Sequence, residues 1–234
     1  MYILSALLTH APNEMKAIIL VCALAILLTI AIGFVTWKRK AKKSTVVICG
    51  PMNAGKTVLW LTLRQRLGQD ASGAKAQLPL TVTSTTPNVS ENSKYVLVDT
   101  PGHPKLRYIA NNLHGAAYVF VLDTAASGTS HSVRPEAEYL YELLGSRSKV
   151  PVLVACNKAE LFSSIPVPRL KNMLQEEMQL LRKSQAASIG KMDEQEASGL
   201  LDTPFTFDDY DIEFIQGSAK NGVSAWQMWI ERHV

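Results

Sequence analysis

A chain of 234 residues, 47% of them hydrophobic, is long enough for one α/β domain plus an appendage. The net charge of +4 is unevenly spread: residues 1–43 hold six Lys/Arg against one acid, and residues 44–234 hold 18 against 19. The basic excess therefore sits in a short segment beside an apolar run, which points to a membrane surface and away from a nucleic-acid groove. Cys22, Cys49 and Cys156 lack metal-ligand spacing and are odd in number, which argues against a zinc site or a disulfide framework and fits a reducing compartment.

After a short N-terminus (1–16), residues 17–37 run without a charge and are rich in Leu, Ile, Ala and Val. As a helix they would extend about 30 Å, the thickness of the bilayer hydrocarbon, so they are read as a transmembrane helix. Five basic residues follow within the linker 38–43 and Trp37 stands at the boundary. The positive-inside rule then places the C-terminal side in the cytosol and residues 1–16 in the lumen or exterior. A cleavable signal peptide would need its basic residues before the apolar core, and a buried core helix apolar on every face would be a poor fit with five basic residues directly after it.

Residues 44–234 read as one domain in which strands and helices alternate, as in a parallel-sheet α/β fold. Its first strand, Thr45–Cys49, leads into Gly50-Pro51-Met52-Asn53-Ala54-Gly55-Lys56-Thr57 and then a helix. This is G-x-x-x-x-G-K-[ST] in the context that gives the pattern meaning. Its backbone N–H groups and the helix N-terminus would cradle phosphate oxygens, Lys56 would reach the β- and γ-phosphates, and Thr57 would offer its hydroxyl to Mg²⁺. The helix is expected to stop near Leu67-Gly68. The Thr/Ser-rich stretch before Pro87 reads as a loop in which Thr83 or Ser84 is a candidate contact to the metal and the γ-phosphate.

The run Tyr95–Val98 ends in Asp99-Thr100-Pro101-Gly102-His103. Asp99 at a strand's carboxyl end is placed to hold a Mg²⁺-bound water, and Gly102 can bring its N–H close to a phosphate. A strand over 116–123 and an amphipathic helix over 135–144, ended by Gly145, come next. A further strand, 152–156, leads into Asn157-Lys158-Ala159-Glu160. In N-K-x-D the carboxylate accepts hydrogen bonds from N1–H and the 2-amino group of guanine. Here Glu160 carries the carboxylate one methylene farther.

A polar helix over 168–185 should bury Leu170, Leu174, Met178 and Leu181, and residues 186–210 read as a long acidic loop. After the apolar run 212–215, Ser218-Ala219-Lys220 would meet the base edge with its backbone. The final helix carries Trp226, Met228, Trp229 and Ile230, whose aromatics read as core.

Phosphate loop, D-x-P-G, N-K-x-[D/E] and S-A-K stand in the order and approximate spacing of the Ras-like GTPases. Within that superfamily the chain resembles the beta-subunit family of the signal recognition particle receptor. The amino-terminal anchor, residues 99–107, the run Val152–Lys158 and the long insertion before Ser218 carry the likeness. The resemblance implies a Ras-like P-loop GTPase domain, a mostly parallel sheet flanked by helices, preceded by a single transmembrane helix in the endoplasmic reticulum membrane. It implies GTP and Mg²⁺ as ligands and binding to the receptor's alpha subunit in the GTP state. Ribosome and protein-conducting channel would be met indirectly. His103 falls where Ras-like enzymes carry the Gln that orients the attacking water. No arginine finger is evident in cis, so hydrolysis by the isolated chain should be very weak. An anchor with structural GTP and an Arf/Sar-type trafficking GTPase are the alternatives. The second fits poorly, because those proteins attach through an amphipathic or lipidated N-terminus and Tyr2 stands where myristoylation needs Gly.

Overall fold

The computed structural model describes residues 18, 21–30, 43–67, 84–127, 133–147, 149–189 and 204–234. The chain divides into two compact units, Met1–Lys42 and Lys43–Val234. In the first, residues 21–30 are helical and exposed throughout. Among the described residues no helix is long and apolar enough to cross a membrane. Of the expected span of 17–37, residues 18 and 21–30 are described and helical, and the rest lie outside the described residues.

The second unit is built on a six-stranded sheet in the order β2-β3-β1-β4-β5-β6. Its strands are β1 (Ser44–Cys49), β2 (Asn88–Glu91), β3 (Tyr95–Asp99), β4 (Ala117–Asp123), β5 (Val152–Asn157) and β6 (Ile212–Gln216). β1, β3, β4, β5 and β6 run parallel, and β2 pairs antiparallel with β3 at the edge. The expectation of a mostly parallel sheet holds. β2 is an addition to it, a four-residue strand, Asn-Val-Ser-Glu, with one half-buried face.

Helices cover both faces: α1 (Lys56–Leu67), α2 (Arg107–Asn112), α3 (Arg134–Ser146), α4 (Val167–Ile189) and α5 (Ser224–His233). Successive side chains of a strand point to opposite faces, and the cores follow that alternation. Val46, Ile48, Val119, Val121, Leu153 and Ala155 pack with Leu59 and Leu63 of α1 and Trp226, Trp229 and Ile230 of α5. Val47, Cys49, Phe120, Leu122, Val154 and Cys156 pack with Tyr139, Leu140 and Leu143 of α3 and Leu170, Leu174 and Met178 of α4. The central strands are buried on both faces, which explains their unbroken apolar runs. Cys49 and Cys156 are fully buried free thiols, each pushed up to about 12 by that burial.

Three expectations are corrected. α4 continues through Ile189, so the acidic loop read from residue 186 begins later. Its far end is packed structure: Phe205 and Phe207 are buried, and the Phe205 backbone is held by Gln175 Nε2 on its carbonyl at 2.8 Å and by Gln179 Oε1 on its amide at 2.6 Å. Gly145 lies inside the last turn of α3 and does not end it. In α5 the aromatics are core as expected, whereas Met228 is 63% exposed.

α2 has six residues, too short to be stable alone. Arg147 holds its C-terminal end, donating from Nη2 to the Asn111 and Leu113 carbonyls at 2.6 and 3.0 Å and from Nε to Tyr118 Oη at 3.0 Å. Removing the guanidinium leaves those end carbonyls without their charged donor. Arg147→Ala should therefore lower the unfolding free energy by about 2 kcal/mol, read by urea titration as a shift in midpoint at unchanged slope.

Candidate functional site

The carboxyl ends of β1, β3, β4, β5 and β6 share one edge of the sheet, where the register sets Ile48 beside Asp99 and Asp123 beside Asn157. In open α/β sheets this is the edge at which ligands bind. Gly50 leaves β1 at φ 132° and Gly55 precedes α1 at φ 97°. A Cβ on Gly50 would lie 2.3 Å from the Val121 carbonyl oxygen, and one on Gly55 would lie 2.3 Å from Asn157 Nδ2. Between them Met52 and Asn53 are exposed at the crest, with Asn53 at φ 60°.

Lys56 is 7% exposed and donates to the Pro51 carbonyl at 2.7 Å, so its amine lies across its own loop. Gly102 closes over this arrangement: a Cβ there would meet Lys56 Nζ at 2.3 Å and the Pro51 carbonyl at 2.9 Å. Burial lowers the pKa of Lys56, against the opposing pull of Asp99 and Cys49.

Asp99 lies beside this loop at the end of β3. Its Oδ2 accepts from Thr57 Oγ1 at 2.8 Å and from Asn88 Nδ2 at 3.0 Å, while Oδ1 is buried without a partner. Burial raises its pKa, countered by Asn88, Thr57 and Lys56. A buried carboxylate oxygen left unpaired beside a hydroxyl and an amine suits a hydrated divalent cation bound with phosphate, so these residues fit Mg²⁺. Sequence reasoning missed Asn88, a polar residue on the polar strand β2 that carries no motif.

The other candidates near this end are placed differently. Ser84 donates to the Thr86 carbonyl within its own turn, and Thr83 lies outside the described residues. His103 caps the 3₁₀ turn Pro104–Leu106, its Nδ1 accepting from the Lys105 amide at 3.2 Å. A neutral ring with Nδ1 as acceptor carries its proton on Nε2.

On the base side Asn157 is 3% exposed and spans two loops. Its Nδ2 donates to the Ala54 carbonyl at 2.7 Å and its Oδ1 accepts from the Ala219 amide at 2.8 Å. Lys158, at φ 62°, pairs with Asp123 Oδ2, and Asp123 Oδ1 accepts from the Ala125 and Ala126 amides at 3.0 and 3.1 Å. Asp123 was absent from the sequence-derived site, although it ends its strand as Asp99 does. Gly55, Asn157, Lys158, Glu160, Ala219 and Lys220 line a cavity of about 290 Å³. Glu160 and Lys220 are exposed at it. Ser218 is spent locally: its amide and carbonyl bond Gly222, and its hydroxyl accepts from the Asn221 amide at 3.2 Å.

The structure thus brings together Gly50–Thr57, Asp99, Gly102, Asn157–Glu160 and Ser218–Lys220, and leaves Ser84 turned to its own loop.

The family described as the signal recognition particle receptor beta subunit matches residues 41–214. Relatives carrying that description include the mouse protein, 29% identical over 217 residues that cover 86% of this chain and 78% of the other. The Saccharomyces cerevisiae protein is 28% identical over 249 residues, covering 92% and 98%. Among solved structures, the SRb–GTP/SRX complex of the receptor from Chaetomium thermophilum is similar with a TM-score of 0.63 at 26% identity, over 83% of this chain and 100% of that one. SRb–GDP–Mg from the same organism gives 0.62, also at 26% identity, over 84% and 100%. A match over most of the chain, on the fold and loops just described, assigns it: the chain belongs to the signal recognition particle receptor beta subunit family.

Proposed function

We propose that residues 44–234 are a GTP-binding switch on the cytosolic face of the endoplasmic reticulum membrane, tethered by residues 17–37, which binds the receptor's alpha subunit when GTP-loaded. The observation that carries this reading is the span of Asn157 from Ala54 to Ala219, because it makes one crevice of a phosphate loop and a base-reading loop. Solved relatives hold GTP, or GDP with Mg.

In this reading phosphate oxygens would draw Lys56 from the Pro51 carbonyl, the backbone N–H groups of residues 52–57, Pro51 having none, would cradle the β-phosphate, and Thr57 and Asp99 would hold Mg²⁺, Asp99 through a water. Anionic phosphates beside Lys56 also offset the burial that lowers its pKa. Asn157, Lys158, Glu160 and the backbone of Ser218–Lys220 face the guanine. Gly102 couples the γ-phosphate to the turn that begins at His103. That histidine would orient a water, and with no arginine finger evident in cis the lone chain would turn GTP over slowly.

The tether is supported by the exposed helix 21–30, in which Val21, Leu24, Ile26, Leu27, Leu28 and Ile30 are each about 60% exposed or more. Thr29 satisfies its hydroxyl on the Ile26 carbonyl at 2.8 Å, as a helix in lipid requires.

The test is nucleotide selectivity of the full chain. GTP should bind far more tightly than ATP. Glu160→Ala should cut the preference for GTP over ITP, which lacks the 2-amino group, about tenfold. Equal binding of GTP and ATP by the native chain would overturn the guanine reading. Equal capture of the alpha subunit by GDP-loaded and GTP-loaded protein would overturn the switch.

A further inference from the structure

We propose that Thr62, a residue no motif contains, is a specificity-determining positioning residue that aims the backbone donor meeting the 6-oxo group of a purine. The proposal rests on the guanine-nucleotide reading above and concerns how the base is told from a 6-aminopurine.

Thr62 lies on α1, five residues beyond Thr57, a rise of about 7.5 Å along the helix. Its single hydroxyl proton has two carbonyls in reach, that of Ala219, 157 residues away, at 2.8 Å and that of Val58 in its own helix at 2.9 Å, and it holds Ala219 by the share it donates there. One turn on, at the i+4 position that shares its face, Arg66 Nη1 reaches Ser224 Oγ at 3.0 Å, where α5 begins. The helix whose first turn stands at the phosphates therefore also holds the loop that stands at the base.

The hydrogen bonds around Ala219 determine what that hold does. The Ser218 amide is engaged with the Gly222 carbonyl at 3.4 Å and the Ala219 amide with Asn157 Oδ1 at 2.8 Å. Of the three S-A-K amides, the one left for a ligand is that of Lys220, a residue lining the cavity. The Lys220 N–H and the Ala219 carbonyl belong to the same planar trans peptide and point in opposite directions. Fixing that carbonyl on Thr62 therefore fixes the direction of the Lys220 N–H. A 6-oxo group accepts from an N–H aimed at it, and a 6-amino group presents its own hydrogens there. Discrimination at this position thus depends on the donor being held still, and the structure assigns that task to the Thr62 hydroxyl.

The test uses the full chain and three diphosphates: those of guanosine, of 2,6-diaminopurine riboside, which carries a 6-amino group and with it an unprotonated N1, a second difference that is the same for native and variant chains, and of inosine, which lacks the 2-amino group. Thr62→Val removes the hydroxyl at nearly constant volume, Thr62→Ser keeps it, and Thr62→Ala serves if the valine variant does not fold. The expected result is a five- to tenfold fall in the guanosine over 2,6-diaminopurine affinity ratio in the valine or alanine variant. The guanosine over inosine ratio should not change, and serine should restore the first ratio. An unchanged first ratio, or an equal fall in both, would leave Thr62 a packing residue and overturn the proposal. A native chain that fails to distinguish guanosine from 2,6-diaminopurine would instead overturn the guanine reading beneath it.

Discussion

Gly50→Ala is expected to lower the unfolding free energy by about 4 kcal/mol, the sum of two costs of similar size. At φ 132° the backbone lies where an L-residue with a Cβ rarely goes, and the new methyl would sit 2.3 Å from the Val121 carbonyl oxygen and 3.1 Å from its nitrogen. Those atoms belong to β4, a central strand paired on both sides, so the obstacle cannot turn away as a flexible side chain would. For a domain of this size the loss corresponds to about 8–16 °C in melting temperature. Gly145→Ala supplies the control. That glycine lies in the last turn of α3 with open space where a Cβ would go, so alanine there should raise stability by about 0.5–1 kcal/mol. Calorimetry on both variants distinguishes a position that needs glycine from a general sensitivity to losing one. A Gly50→Ala protein melting within 2 °C of the native chain would mean that the loop can leave β4 without cost.

The central strands were legible because burial on both faces demands continuous apolar runs, and β1, β3, β4 and β5 each show one, closed by Gly50, Asp99, Asp123 or Asn157. β2 was not legible. Its four residues bury one face only, and its pairing comes from a contact with β3 that no local pattern announces. The run 204–210 was hidden for a different reason. Asp208 and Asp209 give the stretch its acidic character, while Phe205 and Phe207 stack edge to face at 5.3 Å and anchor it to the core. At the site, motifs named the residues but not their bonds. Asn157 was legible as a base-reading side chain. What no motif announces is that its two short hydrogen bonds also tie the phosphate loop to Ala219, a task that depends on loops 103 and 62 residues away in sequence. Asn88 and Thr62 lie outside every motif, so the side chains that orient Asp99 and Ala219 emerge only from the fold.

Asp99→Asn should produce opposite effects in the ligand-free and ligand-bound protein. Without ligand, the carboxylate is 1% exposed with Oδ1 unpaired, and burial raises its pKa above the ordinary value. A raised folded-state pKa means that Asp99 favours folding while protonated and that this contribution disappears as pH rises through the folded pKa. At neutral pH the charge is thus a burden on the empty protein, and an uncharged isostere removes it. Asp99→Asn should therefore melt higher than the native chain at pH 7, with the difference shrinking on acidification and gone below the unfolded-state pKa of about 4. With nucleotide the order reverses. The unpaired oxygen is the group a Mg²⁺-bound water would use, and losing such an outer contact costs about 10–100-fold in metal affinity. The measurement is melting temperature against pH for both proteins, with EDTA alone and with GDP plus Mg²⁺. If the asparagine variant were less stable than the native chain in EDTA at pH 7, Asp99 would be a structural carboxylate satisfied by Thr57 and Asn88. If GDP plus Mg²⁺ raised both proteins equally, the metal would not depend on it.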